Sequence, residues 1–434
     1  MLMPSELNPV TLRDPAAEST VSASAPGKCP RHARKAVNGV DEVEKWIRPR
    51  DLWREPFRLF FPIAVLAGIV GVAVWPVMLW GWTEHFPNVI HSRLMIMGFF
   101  GGFIFGFLGT SIPRLMDSRP MVVWETVPLL VLHIAMITSY SMNAIGWGDL
   151  LFGINLVLFL TVLGARIPGR KDLPAPGFLM IAPGFCCLLT GLGIAEAGRR
   201  EPLEPQFELL FRLLTYHGFV LLCLLGAGGF LLPRFLGLGL RRKFGENREL
   251  SGVWLRCASI ALGTGFLIAA TYVLDAFEHA RVGSTVRAVL VVGYLFWEMP
   301  LERLRFSWQG VNWLLITGLV CIPLGILASG WFPALRVGMA HIELIGGFSL
   351  ITLGVATRVV FGHSGNRDQL ERVHPWITTA AVLLLIGASS RVVGEILPHL
   401  MISHYVYGAL CWLAGLSIWA ACVLPKVLKP DPEG

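Results

Sequence analysis

What most constrains this chain is the recurrence of apolar runs long enough to cross a hydrocarbon core. A helix needs roughly 20 mostly apolar residues to do so. Twelve runs qualify, at about residues 58–80, 90–111, 121–141, 146–165, 177–197, 209–233, 252–274, 285–301, 309–329, 336–360, 376–397 and 403–425. They are continuous rather than alternating, which points to helices and not to the strands of a barrel. Composition agrees: 54% of the 434 residues are hydrophobic and 15% charged, where soluble domains carry about 25% charge. The reading is an all-α polytopic membrane protein of about 12 transmembrane helices, occupying residues 51–427. The eighth run is the weakest, because Arg287, Glu298 and Pro300 leave it short.

Residues 1–50 are rich in Pro, Ser, Ala and charge and lack an apolar pattern, so they read as a disordered tail. No signal-peptide core precedes the first run. Cys29 and His32 in this tail are two isolated ligands and do not make a metal site. Residues 428–434 form a C-terminal tail. The eight cysteines form no C-x-x-C and no disulfide-like spacing, and most lie inside apolar runs as small hydrophobes. That argues against a thiolate-held cluster and against covalently attached heme. The net charge of +7 sits in short loops and speaks for membrane topology, not nucleic acid.

Those loop charges orient the chain. Lys45, Arg48, Arg50, Arg54 and Arg58 flank the first run, and alternate loops carry Arg114 and Arg119, Arg166 to Lys171, Arg241 to Arg248, Arg303 and Arg305, and Arg367 and Arg372. Both termini are expected in the cytoplasm. Even-numbered runs then start on the outer side.

That orientation sorts the histidines by depth. His91 opens the second run, His217 lies early in the sixth, His341 opens the tenth and His404 opens the twelfth, all in the outer half or at its edge. His133 lies at a similar depth. The sixth run, HGFVLLCLLGAGGFLLPR, and the tenth, HIELIGGFSLITLGVATR, each place an Arg seventeen residues after the His. The second repeats the layout over a longer separation, His91 to Arg114. An interval of four runs predicts three pseudo-symmetric four-helix units.

Ionisable groups inside a membrane are costly and face a partner, a cavity or a cofactor. A neutral imidazole escapes most of that cost by hydrogen bonding or by binding a metal, and it suits both heme iron and copper. Four imidazoles at one depth on different helices are therefore candidates to enclose a heme or a copper ion. Nearby glycines (Gly98, Gly101, Gly102; Gly226, Gly228, Gly229; Gly346, Gly347) admit a flat macrocycle or another helix. Each feature also has a plainer reading: a hydrogen-bonded packing histidine, a helix-packing glycine face, a positive-inside arginine. Arg391, near the outer side of the eleventh run, either neutralises a heme propionate or pairs with Glu395 four residues on. Glu343 points to another face than His341 and reads as a supporting or proton-handling group.

The stretch His341 to Gly365, H-x(15)-T-R-V-x-x-G-H-S-G, resembles the signature of the NnrS family, a His-initiated span ending in T-R-x-x-x-G-H-T-G. The run GFFGGFIFGFLGTSIPR resembles the family's Gly/Phe-rich run and G-F-L-x-T-x-x-P, and GGFLLPRF resembles its G-G-R-x-x-P-F-F. The likeness covers about residues 55–425. Three positions depart from the pattern: Arg93 and Leu94 stand for the second His and the Glu of the family's W-H-x-H-E-M stretch, and Phe230 stands for an Arg. Any metal role of that His and Glu is altered here.

The resemblance implies a heme- and copper-containing inner-membrane protein of nitric oxide metabolism or nitrosative-stress resistance, with nitric oxide as a small-molecule partner. It carries over no particular reaction or redox partner. A looser likeness is to the heme-copper oxidase catalytic subunit, twelve spans in three arcs with histidines on the second, sixth and tenth. By that analogy His91 and His341 are axial heme ligands and His217 a copper ligand. The competing reading is a metal-free twelve-span secondary transporter, for which internal repeats also speak, though few acidic residues lie at mid-membrane. A cofactor-free structural partner leaves the shared depth of the histidines unexplained.

Overall fold

The computed structural model describes residues 47–242, 244, 249–307, 310–372 and 374–431. The expected N-terminal tail, with Cys29 and His32, lies almost wholly outside them, as do Lys45, Lys243 and Arg248 among the orienting charges and the last residues of the C-terminal tail. The described residues are helical, with no strand among them. Helices matching the twelve expected runs are α1 (Phe57–Leu79), α2 (Asn88–Leu115), α3 (Val123–Ser141), α4 (Ile145–Gly164), α5 (Pro176–Arg200) and α6 (Pro205–Phe235). They continue as α7 (Gly252–Ala276), α8 (Ala280–Glu298), α9 (Asn312–Trp331), α10 (Pro333–Gly362), α11 (Pro375–Ile396) and α12 (Pro398–Leu428). Eleven are both long and apolar enough to cross a bilayer; the other is α8, whose Arg287 is buried against α7. It begins earlier than expected, at Ala280 rather than about 285, so it spans 19 residues despite its charge.

Three helices form the middle of the bundle. Within their apolar windows α2, α6 and α10 are 78, 72 and 72% buried, against 56% or less for the others. Phe99 packs on Trp412, Phe103 on Trp419 and Phe100 on Phe348, so α2 holds α12 and α10 through aromatic edges. The outer helices turn Val131, Ile134, Val157, Val289 and Leu324 outward, as lipid-facing positions should. Exposed Trp80, Trp82, Trp124, Trp147, Trp331 and Trp376 lie at or near helix ends, where indole rings suit a membrane interface.

The same device recurs in each central helix. The α-helical ladder gives way to a π-helical stretch at Leu94–Phe100 in α2, Leu213–Gly218 in α6 and Ile342–Ser349 in α10. Such stretches are rare and concentrate at functional sites, because the wider turn re-aims the side chains around it. Each lies beside or across the helix's histidine. This threefold recurrence, four helices apart, accords with the three-unit organisation expected from the sequence.

The first and last described residues meet at one end of the bundle. Arg58 donates to the carbonyls of Val427, Lys429 and His363, and its Nε to Glu55. Glu55 also accepts from Arg114 and from His363 Nδ1. Burial alone would raise the Glu55 pKa, but His363, Arg58 and Arg114 outweigh it and hold the carboxyl at about 2, from an ordinary 4.5. A lowered folded-state pKa means the stabilisation is complete above pH 4.5 and is lost as pH falls toward 2. Acid titration of thermal unfolding should therefore show a loss over that window that Glu55→Gln lacks.

Candidate functional site

At the opposite end of the bundle the three central helices bring His91, His217 and His341 together. His341 lies within electrostatic reach of His91, His217 and Arg391, and His91 within reach of Arg391. The three imidazoles share one bonding pattern. Nδ1 of His91 donates to the Gly71 carbonyl of α1 at 2.7 Å, and Nδ1 of His341 to the Val337 carbonyl one turn back at 2.7 Å. Nδ1 of His217 meets Glu343 Oε2 at 2.8 Å. An acceptor on Nδ1 fixes the tautomer, leaving Nε2 as the lone-pair nitrogen. No described protein group bonds Nε2 in any of the three.

His133 differs. Its Nε2 lies 3.1 Å from the Gly98 carbonyl, its Nδ1 is sealed without a partner, and Phe60 and Phe105 enclose the ring. It is a packing residue. His404 lies near the start of α12. It ties α12 to α11, with Nδ1 and its own carbonyl both 2.9–3.0 Å from Ser390 Oγ, and its Nε2 is likewise unbonded.

Arg391 makes no direct ion pair with Glu395 among the described residues, although the two carry opposite charges within electrostatic reach. Its guanidinium lies over the Tyr405 ring at 3.5 Å, while Glu395 accepts from the Tyr405 hydroxyl. Four-residue spacing permits the ion pair, but the aromatic face of α12 takes the arginine instead. Its charge thus stays beside His91 and His341.

Arg93 turns away from this group. Its Nε and Nη2 lie 2.8 and 3.2 Å from the two oxygens of Asp149 on α4, and its Nη1 donates to Tyr216. Tyr140 and Arg199 donate to the same carboxylate. Leu94 is fully buried against Gly71. The two departures from the family stretch are therefore taken up in packing and in a buried ion pair.

The glycines serve helix approach. A side chain at Gly98 or Gly102 would strike Ala67 or Ala64 of α1, one at Gly226 would strike Ile181 of α5, and one at Gly347 would strike Ile322 of α9. Below the histidines, toward the chain-end face, α2, α6 and α10 enclose an apolar cavity of about 60 Å³ lined by Phe103, Phe107, Leu224, Ala227, Ile351 and Val355.

Glu55, His363 and Asp431 are the one group of three described ligand-type side chains close enough to share an ion. Both Glu55 oxygens already accept from Arg58, Arg114 and His363, so the cluster is an ion-pair network. The seven described cysteines are free, as their spacing implies.

No curated protein matches the chain. Its fold is similar to that in a cryo-electron-microscopy structure of a heme-copper terminal oxidase dimer, with a TM-score of 0.55 over 87% of this chain and 84% of that one. At 13% identity this likeness shows the fold alone. The family model described as NnrS protein matches residues 51–430, the whole membrane bundle with the motif-bearing helices α2, α6 and α10, so this chain belongs to the NnrS family.

Proposed function

We propose that this protein is a heme- and copper-binding membrane protein of nitric oxide metabolism, lying in a bacterial inner membrane with the chain ends cytoplasmic and the histidines in the outer half. The observation that carries the reading is the common state of three imidazoles on three helices: Nδ1 occupied, Nε2 unbonded. That donor set fits the groups. His91 and His341 offer Nε2 to a heme iron, with Arg391 beside both as the counter-charge for a propionate. His217 offers Nε2 to copper, with Glu343 behind it as the carboxylate that orients a metal-bound histidine. When bound, heme and copper supply one-electron chemistry and a coordination site for nitric oxide. The chain's own contribution is to fix the tautomers, place the cation and keep the site among buried helices.

His404 meets the same Nε2 criterion but has the Ser390 hydroxyl behind it and not a carboxylate, so copper is assigned first to His217. Metal quantification of purified variants tests this. His217→Ala should lose copper, and Glu343→Leu should weaken copper affinity about 10–100-fold, as removing a supporting carboxylate does elsewhere. His404→Ala should leave copper unchanged. Copper lost from His404→Ala and kept in His217→Ala would reverse the assignment.

A further inference from the structure

Between α6, α7, α8, α9 and α10 lies a second, polar cavity of about 20 Å³. Four polar side-chain atoms that line it are buried and have no hydrogen-bond partner: Tyr272 Oη, Asp275 Oδ1, Arg336 Nη1 and Glu343 Oε1. Tyr272, Asp275 and Glu343 are 1, 4 and 2% exposed. Four buried groups left unpaired at one place in a membrane interior are expensive, because each has lost its water partners without a replacement. The other oxygen of each carboxylate is engaged: Asp275 Oδ2 accepts from Arg287 at 2.6 Å, and Glu343 Oε2 lies 2.8 Å from His217 Nδ1.

The chemistry of the four atoms selects the occupant. Two are carboxylate oxygens that only accept. One is a guanidinium nitrogen that only donates, and the tyrosine hydroxyl has a hydrogen to give. A water molecule has two hydrogens and two lone pairs, so a single water has the bonding capacity for all four. The volume agrees, since a cavity needs about 10–15 Å³ to hold one water and two to four polar partners to keep it. A metal cation would face Arg287 and Arg336, and an anion would face two carboxylate oxygens.

We propose that this cavity is a site for one structural water that joins the Asp275–Arg287 pair to the Glu343–His217 pair and positions the Glu343 carboxylate. Tyr272, Asp275 and Arg336 are then positioning residues, acting on His217 through the water and Glu343. Arg336 is partly exposed, so the hydrogen-bonded chain runs from the solvent edge of α10 to His217. None of this depends on a cofactor.

The test uses the full chain in lipid nanodiscs. Cryo-electron microscopy at water-resolving quality should show one density within hydrogen-bond distance of all four atoms. Infrared spectra in H2(18)O against H2(16)O should show an isotope-shifted O–H stretch from this internal water. Tyr272→Phe removes one partner and should shift that band; Ser329→Leu fills the cavity from its wall and should abolish both band and density. Ser329→Leu should also let the Glu343 side chain leave His217. An empty cavity, an ion in place of water, or a band indifferent to both variants overturns the proposal. A colourless, metal-free preparation that keeps the band would count against the heme and copper reading and leave this one standing.

Discussion

Asp149→Leu is expected to destabilise the folded protein by about 3–5 kcal/mol, the usual consequence of removing one partner of a buried ion pair. Arg93 is 4% exposed and Asp149 3%, so neither can recover its solvation by a small movement. Asp149 answers three donors, Arg93, Arg199 and Tyr140. Arg199 is 36% exposed and can turn to water, and Tyr140 keeps a contact with Met97 Sδ at 2.8 Å. Among the described residues Arg93 then keeps the Tyr216 hydroxyl and the Tyr216 and Phe211 rings, none of them an anion. The penalty therefore belongs chiefly to the stranded guanidinium.

A double variant separates this account from a general packing defect. Arg93→Met with Asp149→Leu replaces the pair by apolar groups and should recover most of the loss, since such replacements are often neutral or stabilising. Thermal unfolding in one detergent measures all three proteins. A double variant no more stable than Asp149→Leu would contradict the assignment. The same variant bears on function: if Arg93 is structural, the double variant binds the same cofactors as the parent.

The second large effect is at the proposed heme site. His341→Ala and His91→Ala should each remove one of the two nitrogens proposed to hold heme while leaving the bundle folded, because each ring makes one hydrogen bond, to a backbone carbonyl. Each variant should lose low-spin bis-histidine character, and the double variant should lose heme altogether. Its thermal midpoint should match that of the cofactor-stripped parent. Unchanged spectra in folded single variants would show that other side chains hold the iron.

Much of the architecture was legible in residue order. Apolar run length placed the helices, and the shared His-to-Arg layout singled out α2, α6 and α10, which proved to be the central three. Partnerships across helices were not legible. His217 and Glu343 lie 126 positions apart, and nothing local to either says that they meet. Glu343 could be read as a supporting group but not assigned to a particular histidine. Arg93 and Asp149 face one another only because α4 packs near α2. The π-helical stretches have no composition of their own, so the re-aiming of the histidines was invisible. The i, i+4 rule brought Arg391 to Glu395, where the Tyr405 ring of the next helix competes better. The polar cavity was hidden for a related reason: Asp275 stands one residue past the expected seventh run, and Arg287 first marked a weak eighth run.

The central claim is that three helices present imidazole nitrogens to a heme and a copper ion. Its most direct test is the absorbance spectrum of the detergent-purified full chain, oxidised and reduced, with heme and copper quantified on the same sample. The account predicts a Soret band at near-stoichiometric heme, a reduced-minus-oxidised difference, and copper bound alongside. A folded, colourless, metal-free protein from heme- and copper-replete cells would contradict it and favour a secondary transporter built on the same bundle.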